Sequence, residues 1–331
     1  MFSDLRATDV LAAAERIRGA VKRTPLVRSA ALSEVAGGDV YLKLENGQLT
    51  GSFKVRGALN ALAALPEDVR KRGVVASSAG NHGMGVAYAA RELGVPATIF
   101  VPSTAPKVKR DGIARLGATL DVTQPHYDAA MVAAKAFAAR RGLTFVNPCL
   151  GDALLAGQGT VGLEILSELP DVASIVVPVG GGGLLGGIAC IVRRVAPDVR
   201  IHGAQSVNTA AMARSVAAGR VVEIPVVPTL ADGLAGQIDD EALDIGLNGL
   251  DEIVTLTEDE IGRTIAWLAR THDTIAEGAG AVGVGAVWLR KLTKLRTPAA
   301  VVVSGGNIDE ARLRELMDAS ASREATVGAG S

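Results

Sequence analysis

Short apolar runs alternate along the chain with longer segments in which apolar residues recur at helical spacing. The run "GVVASS" precedes the helical pattern "AGNHGMGVAYAARELG", and "SIVVPVGGGG" precedes "LLGGIACIVRRVAPD". Further strand candidates are "VYLKLE", "ATIFVP", "ATLDVT", "RIHGAQ" and "AAVVVSGGN". Such short apolar runs, between helices that end on Gly or before Pro, are typical of parallel strands buried on both faces. The pattern therefore predicts an α/β protein in which helices cover both faces of parallel sheets. Only the final "SREATVGAGS" is predicted to be a loose tail.

Length and composition narrow the function classes. A chain of 331 residues suits two domains. A formal net charge of −1 and an aromatic content of 3% argue against a nucleic-acid-binding surface. The N-terminal segment carries charges and has no apolar core of a signal peptide, and Cys149 and Cys190 are predicted to be buried free thiols. We therefore expect a cytoplasmic protein.

One uncharged window, Ser174 to Val192, is long enough to imitate a membrane span. It contains Pro178 and six glycines, which make a poor continuous helix. We interpret it as a strand, a glycine loop and a helix, and we expect no contact with a membrane.

The strongest chemical signal is the glycine run in "VPVGGGGLLGGIA". Backbone N–H groups without side chains beside them, at the start of a helix, favour a bound phosphate. A tight turn would need one or two glycines and does not explain four. Gly181, Gly183 and Gly186 also match the dinucleotide pattern G-x-G-x-x-G, but the next predicted strand ends on Gln205 instead of the expected acid. An NAD-dependent oxidoreductase therefore stays only as an alternative from a different class of enzymes.

Two further loops follow predicted strands, where ligands of α/β proteins bind. In "SSAGNHGMG", the small residues around Asn81 leave N–H groups that suit a carboxylate, although Asn81 also fits a plain turn. In "VVVSGGN", Ser304 is either a turn-capping residue or a hydrogen-bonding partner of a ring nitrogen. Lys54 stands at the predicted start of a helix in "GSFKVRGALNAL", where it is either a solvated cation or a reactive amine.

Taken together, these segments resemble one family. The stretches "LKLENGQLTGSFKVRGALNAL", "SSAGNHGMGVAYAA", "LAGQGTVGLEI", "VPVGGGGLLGGIA" and "VVVSGGN" resemble, in order, the fold-type II pyridoxal-phosphate (PLP) enzymes, which are tryptophan synthase β-like. Within them the chain is similar to the threonine/serine dehydratase and serine racemase branch. The resemblance implies a large PLP-binding domain of residues 1–66 and 151–331, a small mobile domain of residues 67–150, and a homodimer.

The resemblance also implies roles for individual residues. Lys54 would bind PLP covalently and act as the catalytic base. The PLP phosphate would lie on the backbone of the loop, and Asn81 and Ser304 would bind the ring 3′-hydroxyl and the ring nitrogen. The loop residues are Gly180, Gly181, Gly182, Gly183 and Leu184. The substrate would contact a set comprising Ser78, Gly80, Asn81, His82 and Gly233.

The implied reaction is the elimination of water and ammonia from a β-hydroxy amino acid such as L-threonine or L-serine, which gives a 2-oxo acid. A neutral Ser304 at the ring nitrogen suits elimination better than transamination. Alternative substrates are hydroxyaspartate, phenylserine or a hydroxyectoine-derived amino acid, and serine racemisation is an alternative reaction. A β-replacement synthase and a non-catalytic relative are further interpretations, the latter disfavoured by Lys54.

Three departures from the family pattern refine this expectation. Racemases carry a serine where this chain has Ala79, which cannot move protons. The carboxylates of metal-binding members are replaced by Gln205 and Ala211, so we expect no Mg²⁺ or Ca²⁺ at this position. Asn147 and Cys149 replace a His and a Phe of the dehydratases, which leaves the preferred β-hydroxy amino acid open.

Overall fold

The computed structural model describes residues 4–225 and 227–328, which form two sheets. Strands of the six-stranded sheet, here the large sheet, are β1 (Leu26–Arg28), β2 (Val40–Lys43), β7 (Ser174–Pro178), β8 (Arg200–Ser206), β9 (Glu252–Leu256) and β10 (Ala299–Val302). Strands of the four-stranded sheet, here the small sheet, are β3 (Val74–Ser77), β4 (Ala97–Phe100), β5 (Thr119–Asp121) and β6 (Thr144–Phe145). The strands of the small sheet all lie inside the segment predicted to be the small domain.

Helices separate most of the strands. They are α1 (Ala7–Arg16), α2 (Ala30–Ala36), α3 (Lys54–Ala63), α4 (Glu67–Arg72), α5 (Asn81–Leu93), α6 (Lys107–Arg115), α7 (Tyr127–Arg141), α8 (Asp152–Glu168), α9 (Gly183–Val195), α10 (Ala211–Ala218), α11 (Asp240–Gly249), α12 (Glu258–His272), α13 (Gly278–Trp288) and α14 (Glu310–Gly328). Since α14 continues to Gly328, the predicted loose tail is wrong up to that residue, and 329–331 lie outside the described residues. Ala, Arg and Glu in this segment favour a helix.

The order of strands brings three connections to one edge of the large sheet. The order is β1-β2-β10-β7-β8-β9, and β1 is antiparallel to β2 while β2, β10, β7, β8 and β9 pair in parallel. Ala299 of β10 stands opposite Val40 of β2 and Ser174 of β7. The carboxyl ends of these three strands are therefore neighbours, and the segments that follow them converge.

Apolar side chains are buried on both faces of the large sheet, as the sequence pattern predicts. Ile175 and Val177 of β7 pack in one core with α8 and α9. Val176 of the same strand packs in a second core with α13. The parallel order β5-β4-β3-β6 of the small sheet carries a separate core shared with α3 and α5. The predicted α/β fold with helix-covered parallel sheets is confirmed.

Helices α3, α8 and α9 pack closely because glycines face one another. A Cβ on Gly157 of α8 would lie 2.7 Å from the Cα of Gly57 on α3, and one on Gly187 of α9 would lie 2.4 Å from the nitrogen of Gly159. This backbone contact fixes α3, which begins at Lys54, against the core of the large sheet.

The uncharged window from Ser174 to Val192 is divided between β7, a loop and α9, as predicted. No helix within residues 4–225 and 227–328 has the length and apolar character needed to cross a membrane.

Candidate active site

Lys54 and Ser304 lie on backbone segments that are hydrogen-bonded to each other. The Phe53 N–H donates to the carbonyl of Ser304 at 3.1 Å, and the Gly306 N–H donates to the carbonyl of Gly51 at 2.9 Å. The turn before α3 and the loop after β10 therefore form one unit at the carboxyl edge of the large sheet. These two candidate residues, far apart in sequence, are brought together.

The amine of Lys54 points into the protein. Its side chain is half-buried, and Nζ donates to the carbonyl of Pro148 at 2.7 Å and lies 5.3 Å from the centre of the Phe53 ring. A solvated surface lysine would extend into water, so this environment favours the reactive-amine interpretation.

The glycine run forms a loop with no room for side chains. A Cβ on Gly180 would lie 3.0 Å from the Cα of Leu234, and Gly182 has the positive φ of +88° that only glycine adopts easily. Gly183 and the buried Leu184 begin α9, a helix of 13 residues. The loop thus presents bare backbone at a helix N-terminus, which is the arrangement that binds phosphate.

Cys149 lies between this loop and the Lys54 amine. A Cβ on Gly181 would lie 2.7 Å from Cys149 Sγ, and a Cβ on Gly183 would lie 2.9 Å from the Cys149 carbonyl oxygen. Cys149 follows Pro148, the acceptor of the Lys54 hydrogen bond. Cys190 is buried, as predicted, but Cys149 is only partly buried because it borders this site.

Asn81 begins α5 and is held at both ends of its amide. Its Nδ2 donates to Oε1 of Glu277 at 2.6 Å, and its Oδ1 accepts from Nδ2 of Asn307 at 2.7 Å. The sequence alone predicts no role for Glu277 or Asn307. The signal for Glu277 was a lone acid before the apolar, glycine-rich segment "GAGAVGVGAVW".

Burial is the main reason why the pKa of Glu277 rises from 4.5 to about 7, and the nearby charge of Asp232 raises it further. The hydrogen bond from Asn81 and the charges of Lys109 and Lys54 act in the opposite direction. Both protonation states of this carboxyl group are therefore populated near neutral pH.

His82 lies in the same helix turn and is fully enclosed. Its Nε2 is 3.0 Å from the carbonyl of Val146. Burial, followed by the charge of Lys54, lowers the pKa of His82 to about 3. The imidazole is therefore neutral at physiological pH and does not supply a proton.

The remaining predicted residues also lie around this edge. Ser78 Oγ accepts from the N–H of Gly80 at 3.1 Å, which shapes the turn before α5. A Cβ on Gly233 would lie 4.0 Å from Glu277 Oε1, and Ser304 Oγ donates to the carbonyl of Ala279 at 3.4 Å. The structure thus gathers the candidates from all three loops.

The residues present fit PLP. The amine, the bare glycine loop, the Asn81 amide and the Ser304 hydroxyl match its aldehyde, phosphate, ring hydroxyl and ring nitrogen. Within the described part of the chain, the hydroxyls of Ser52 and Ser77 and Nδ1 of His82 are buried without a hydrogen-bond partner. Unpartnered buried polar atoms are uncommon and point to a bound polar group.

Gln205 lies at the position where the sequence predicts that no Mg²⁺ or Ca²⁺ binds. Its buried side chain donates through Nε2 to the carbonyl of Thr209 at 3.0 Å and accepts at Oε1 from the N–H of Ala213 at 2.8 Å. Among the residues that the structure describes, no group of three or more His, Cys, Asp or Glu side chains is placed to hold a metal ion. The amide here is committed to the backbone of the segment that follows β8.

The chain resembles known proteins over most of its length. The sequence profile of the family described as "Pyridoxal-phosphate dependent enzyme" matches residues 17–305. An L-threonine ammonia-lyase of Thermotoga maritima is 46% identical over 302 residues, which are 91% of this chain and 75% of that protein. A putative threonine dehydratase of Sinorhizobium fredii is 40% identical over 320 residues, 96% of either chain.

Solved structures agree with the sequence matches. Maize serine racemase superposes with a TM-score of 0.90 at 29% identity and covers 96% of this chain and 98% of its own. The processed form of threonine deaminase isoform 2 from Solanum lycopersicum superposes with a TM-score of 0.88 at 30% identity and covers 94% and 86%. Since the family profile spans far more than half of the sequence, this chain belongs to the family of pyridoxal-phosphate dependent enzymes.

Proposed function

We propose that this protein is a PLP-dependent lyase that converts a β-hydroxy amino acid such as L-threonine or L-serine to a 2-oxo acid and ammonia. The observation that carries the proposal is the placement of the Lys54 amine beside the Pro148–Cys149 segment, which in turn contacts the glycine loop. Relatives named threonine ammonia-lyase and threonine dehydratase support this reaction.

Lys54 has two roles in this proposal. Its amine binds the cofactor, and once the substrate is bound, it takes the proton from the substrate Cα as a general base. PLP, when bound, supplies the electron sink for this proton removal. The backbone link between Phe53 and Ser304 holds the amine and the ring-nitrogen partner in a fixed relation.

The glycine loop and two polar side chains orient the cofactor. The N–H groups of Gly180, Gly181, Gly182, Gly183 and Leu184 bind the phosphate, with help from the N-terminal dipole of α9. Asn81 retains one free N–H and one free lone pair for the ring 3′-hydroxyl, because Glu277 and Asn307 use the others. Ser304 is neutral, which favours elimination over transamination.

The turn before α5 binds the substrate carboxylate in this proposal. Ser78, Gly80, Asn81 and His82 surround the N-terminus of a helix of 13 residues, whose dipole favours an anion. The neutral His82 adds a hydrogen-bonding group without a competing charge. Gly233 leaves space for the substrate on the Glu277 side.

Racemisation is the less favoured alternative. Ala79 stands where a second acid/base would be needed, and its side chain packs against the apolar core of the small sheet. The alternative that this protein dehydrates another β-hydroxy amino acid differs from the main proposal only in the substrate.

We also propose the assembly and motion implied by the resemblance. Residues 67–150 would form the small domain and move relative to residues 1–66 and 151–331, and the chain would form a homodimer in the cytoplasm. The contacts of Asn81 with Glu277 and Asn307 join the two parts in the present arrangement.

The experiment is a panel of β-hydroxy amino acids assayed for ammonia and 2-oxo acid. The purified protein should show the visible absorption of lysine-bound PLP, and Lys54→Ala should lose both this absorption and turnover. Lys71→Ala is the matched control because Lys71 is exposed and pairs with Glu67 on α4. Release of 2-oxo acid from none of the substrates would refute the lyase proposal, and an unchanged absorption in Lys54→Ala would refute the role of Lys54.

A further inference from the structure

Glu277 links three segments of the site through its side chain and backbone. Its Oε1 accepts from Asn81 Nδ2 at 2.6 Å, and its N–H donates to the carbonyl of Gly305 at 3.0 Å. A Cβ on Gly305 would lie 2.2 Å from Glu277 Oε1, so the loop after β10 passes directly over the carboxyl group. Glu277 is 7% exposed, so its carboxyl group is shielded from bulk water.

The hydrogen bond to Glu277 determines which way the Asn81 amide faces. A carboxylate only accepts hydrogen bonds, so Nδ2 of Asn81 must face Glu277. Asn307 donates to the opposite end, at Oδ1, and Asn307 is itself fixed because its Nδ2 also donates to the carbonyl of Thr50 at 2.8 Å. If the Asn81 amide were reversed, its Oδ1 would face the Glu277 carboxylate and its Nδ2 would face Nδ2 of Asn307. An acceptor would then face an acceptor and a donor would face a donor.

We propose that Glu277 is a positioning residue whose ionised carboxylate holds Asn81, and with it the N-terminus of α5, in the orientation that binds the cofactor. This inference rests on the proposed function only for the role of Asn81. It concerns the contact between the start of α5 and the start of α13, which exists without the cofactor. The ionised form makes a charge-assisted hydrogen bond, which is stronger than the bond of the neutral acid.

The surroundings of Glu277 allow its charge to change within the working pH range. The charged groups that face it are Asp232 before α11, Lys109 on α6 and Lys54 on α3. Lys109 and Asp232 form an ion pair at 3.0 Å. The group that lowers the pKa of Glu277 and the group that raises it therefore lie side by side. The raised pKa of Glu277 places its titration near neutrality.

The first experiment uses hydrogen exchange of the cofactor-free chain. The His82→Gln protein is used throughout, because the imidazole of His82 lies in the same peptide and would add its own pH dependence. After correction for intrinsic rates, residues 78–86 should be protected several-fold more at pH 8 than at pH 6, because an opening that breaks only the Asn81–Glu277 hydrogen bond and leaves Glu277 buried removes an interaction that lowers the pKa of Glu277. Adding Glu277→Gln should abolish this difference, whereas adding Glu260→Gln, which alters a carboxyl group on α12 paired with Lys291, should retain it. Equal corrected exchange at both pH values in the His82→Gln protein would overturn the proposal.

The second experiment tests the coupling with Asn81 in the PLP-loaded protein. Glu277→Gln should weaken PLP binding about tenfold, and it should reduce kcat/KM mainly through kcat and remove the rise in activity near pH 7. In the Asn81→Ala background the same substitution should change PLP affinity less than twofold, because the partner is absent. An additive tenfold loss would overturn action through Asn81. If the wild type turns over no substrate in the panel, the lyase proposal fails, while exchange and PLP affinity still decide the role of Glu277.

Discussion

Arg56 and Glu45 form a buried bidentate ion pair, and Arg56 lies in the first turn of α3, the helix that begins at Lys54. Nε and Nη2 of Arg56 each donate to one oxygen of Glu45 at 2.8 Å, and both residues are almost fully buried. Nη1 of Arg56 also donates to Glu164 on α8 at 2.7 Å. Although burial alone would raise it, the pKa of Glu164 is lowered by Arg56 and Lys43. This network fixes α3 between β2 and α8.

Arg56→Met should destabilise the cofactor-free protein by about 3–5 kcal/mol, because it leaves the buried charge of Glu45 without its partner. The double variant Arg56→Met/Glu45→Met should recover much of this loss, since both buried charges are removed. Urea unfolding of the single and double variants measures the effect. Lys71→Met is the control, because its exposed pair with Glu67 should contribute at most about 1 kcal/mol. A loss for Arg56→Met no larger than that of the control would contradict the structural role of the network.

The glycine loop offers a prediction with an internal comparison. Gly181→Ala would bring its Cβ within 2.7 Å of Cys149 Sγ, whereas Gly183→Ala would bring it within 2.9 Å of the Cys149 backbone oxygen. Both variants should therefore weaken PLP binding at least tenfold. Cys149→Ala should partly restore binding in Gly181→Ala, since it removes the clashing sulfur, but not in Gly183→Ala, where the clash is with the backbone. PLP titration followed by absorbance measures this. Equal rescue of both variants would show that the loop clash is not the cause.

The sequence predicted the fold and the loop residues because their signals are local. Apolar runs followed by glycines identified β3, β7 and β10, and the resemblance to the PLP-dependent family is confirmed by the family match. The half-buried strand β9 and the helix α13 were not identified. Helix α13 contains glycines where close packing requires them: a Cβ on Gly280 would lie 2.3 Å from the carbonyl oxygen of Gly305. Packing here outweighs the low helix propensity of glycine.

Glu277 could not be assigned from the sequence, because its role depends on a partner 196 residues away. Its neighbours in sequence are apolar or glycine, so no local pattern surrounds it. Only the fold shows that the start of α13 meets the start of α5. The roles of Lys54, Asn81 and Ser304 came from the resemblance and stay predictions. The structure places Lys54 and Ser304 at one edge of the large sheet, and Asn81 reaches this edge from the small sheet through Glu277 and Asn307.

Glu277 should make the cofactor-free protein less stable as the pH rises. The folded-state pKa of about 7 exceeds the ordinary value of 4.5, so the folded protein binds more protons than the unfolded chain between these values. Stability should therefore fall by about 3 kcal/mol from pH 4.5 to pH 7 through this group, and change little above pH 7. Glu277→Gln should remove this loss and be more stable than the wild type at pH 8, yet less active. Denaturant unfolding across pH measures it, and a Glu277→Gln protein less stable than the wild type at pH 8 would contradict this account.

His82 should have the opposite effect on stability. Its folded-state pKa of about 3 lies below the ordinary value of 6.5, so the unfolded chain binds more protons as the pH falls through 6.5. The wild type should lose about 2 kcal/mol through His82 between pH 7 and pH 5. His82→Gln, which can still donate to Val146, should not show this loss. Unfolding of His82→Gln in the Glu277→Gln background separates the two groups, and an unchanged slope below pH 6.5 would show that His82 does not titrate on unfolding.

Divalent metal ions should not bind at Gln205 and should not change the thermal stability of this protein. The Gln205 amide bonds to the backbone at Thr209 and Ala213, and Ala211 offers no oxygen ligand from its side chain. Mg²⁺ or Ca²⁺ at millimolar concentration, or EDTA, should therefore change the melting temperature by less than about 1 °C, since a ligand stabilises only the state that binds it. The double variant Gln205→Glu/Ala211→Asp supplies two carboxylates, which hard divalent cations prefer. This variant should be destabilised without metal, because a carboxylate in place of the Gln205 amide cannot donate to the carbonyl of Thr209, and it should be stabilised by added Ca²⁺. A Ca²⁺-dependent rise in the wild-type melting temperature that Gln205→Leu removes would contradict the prediction.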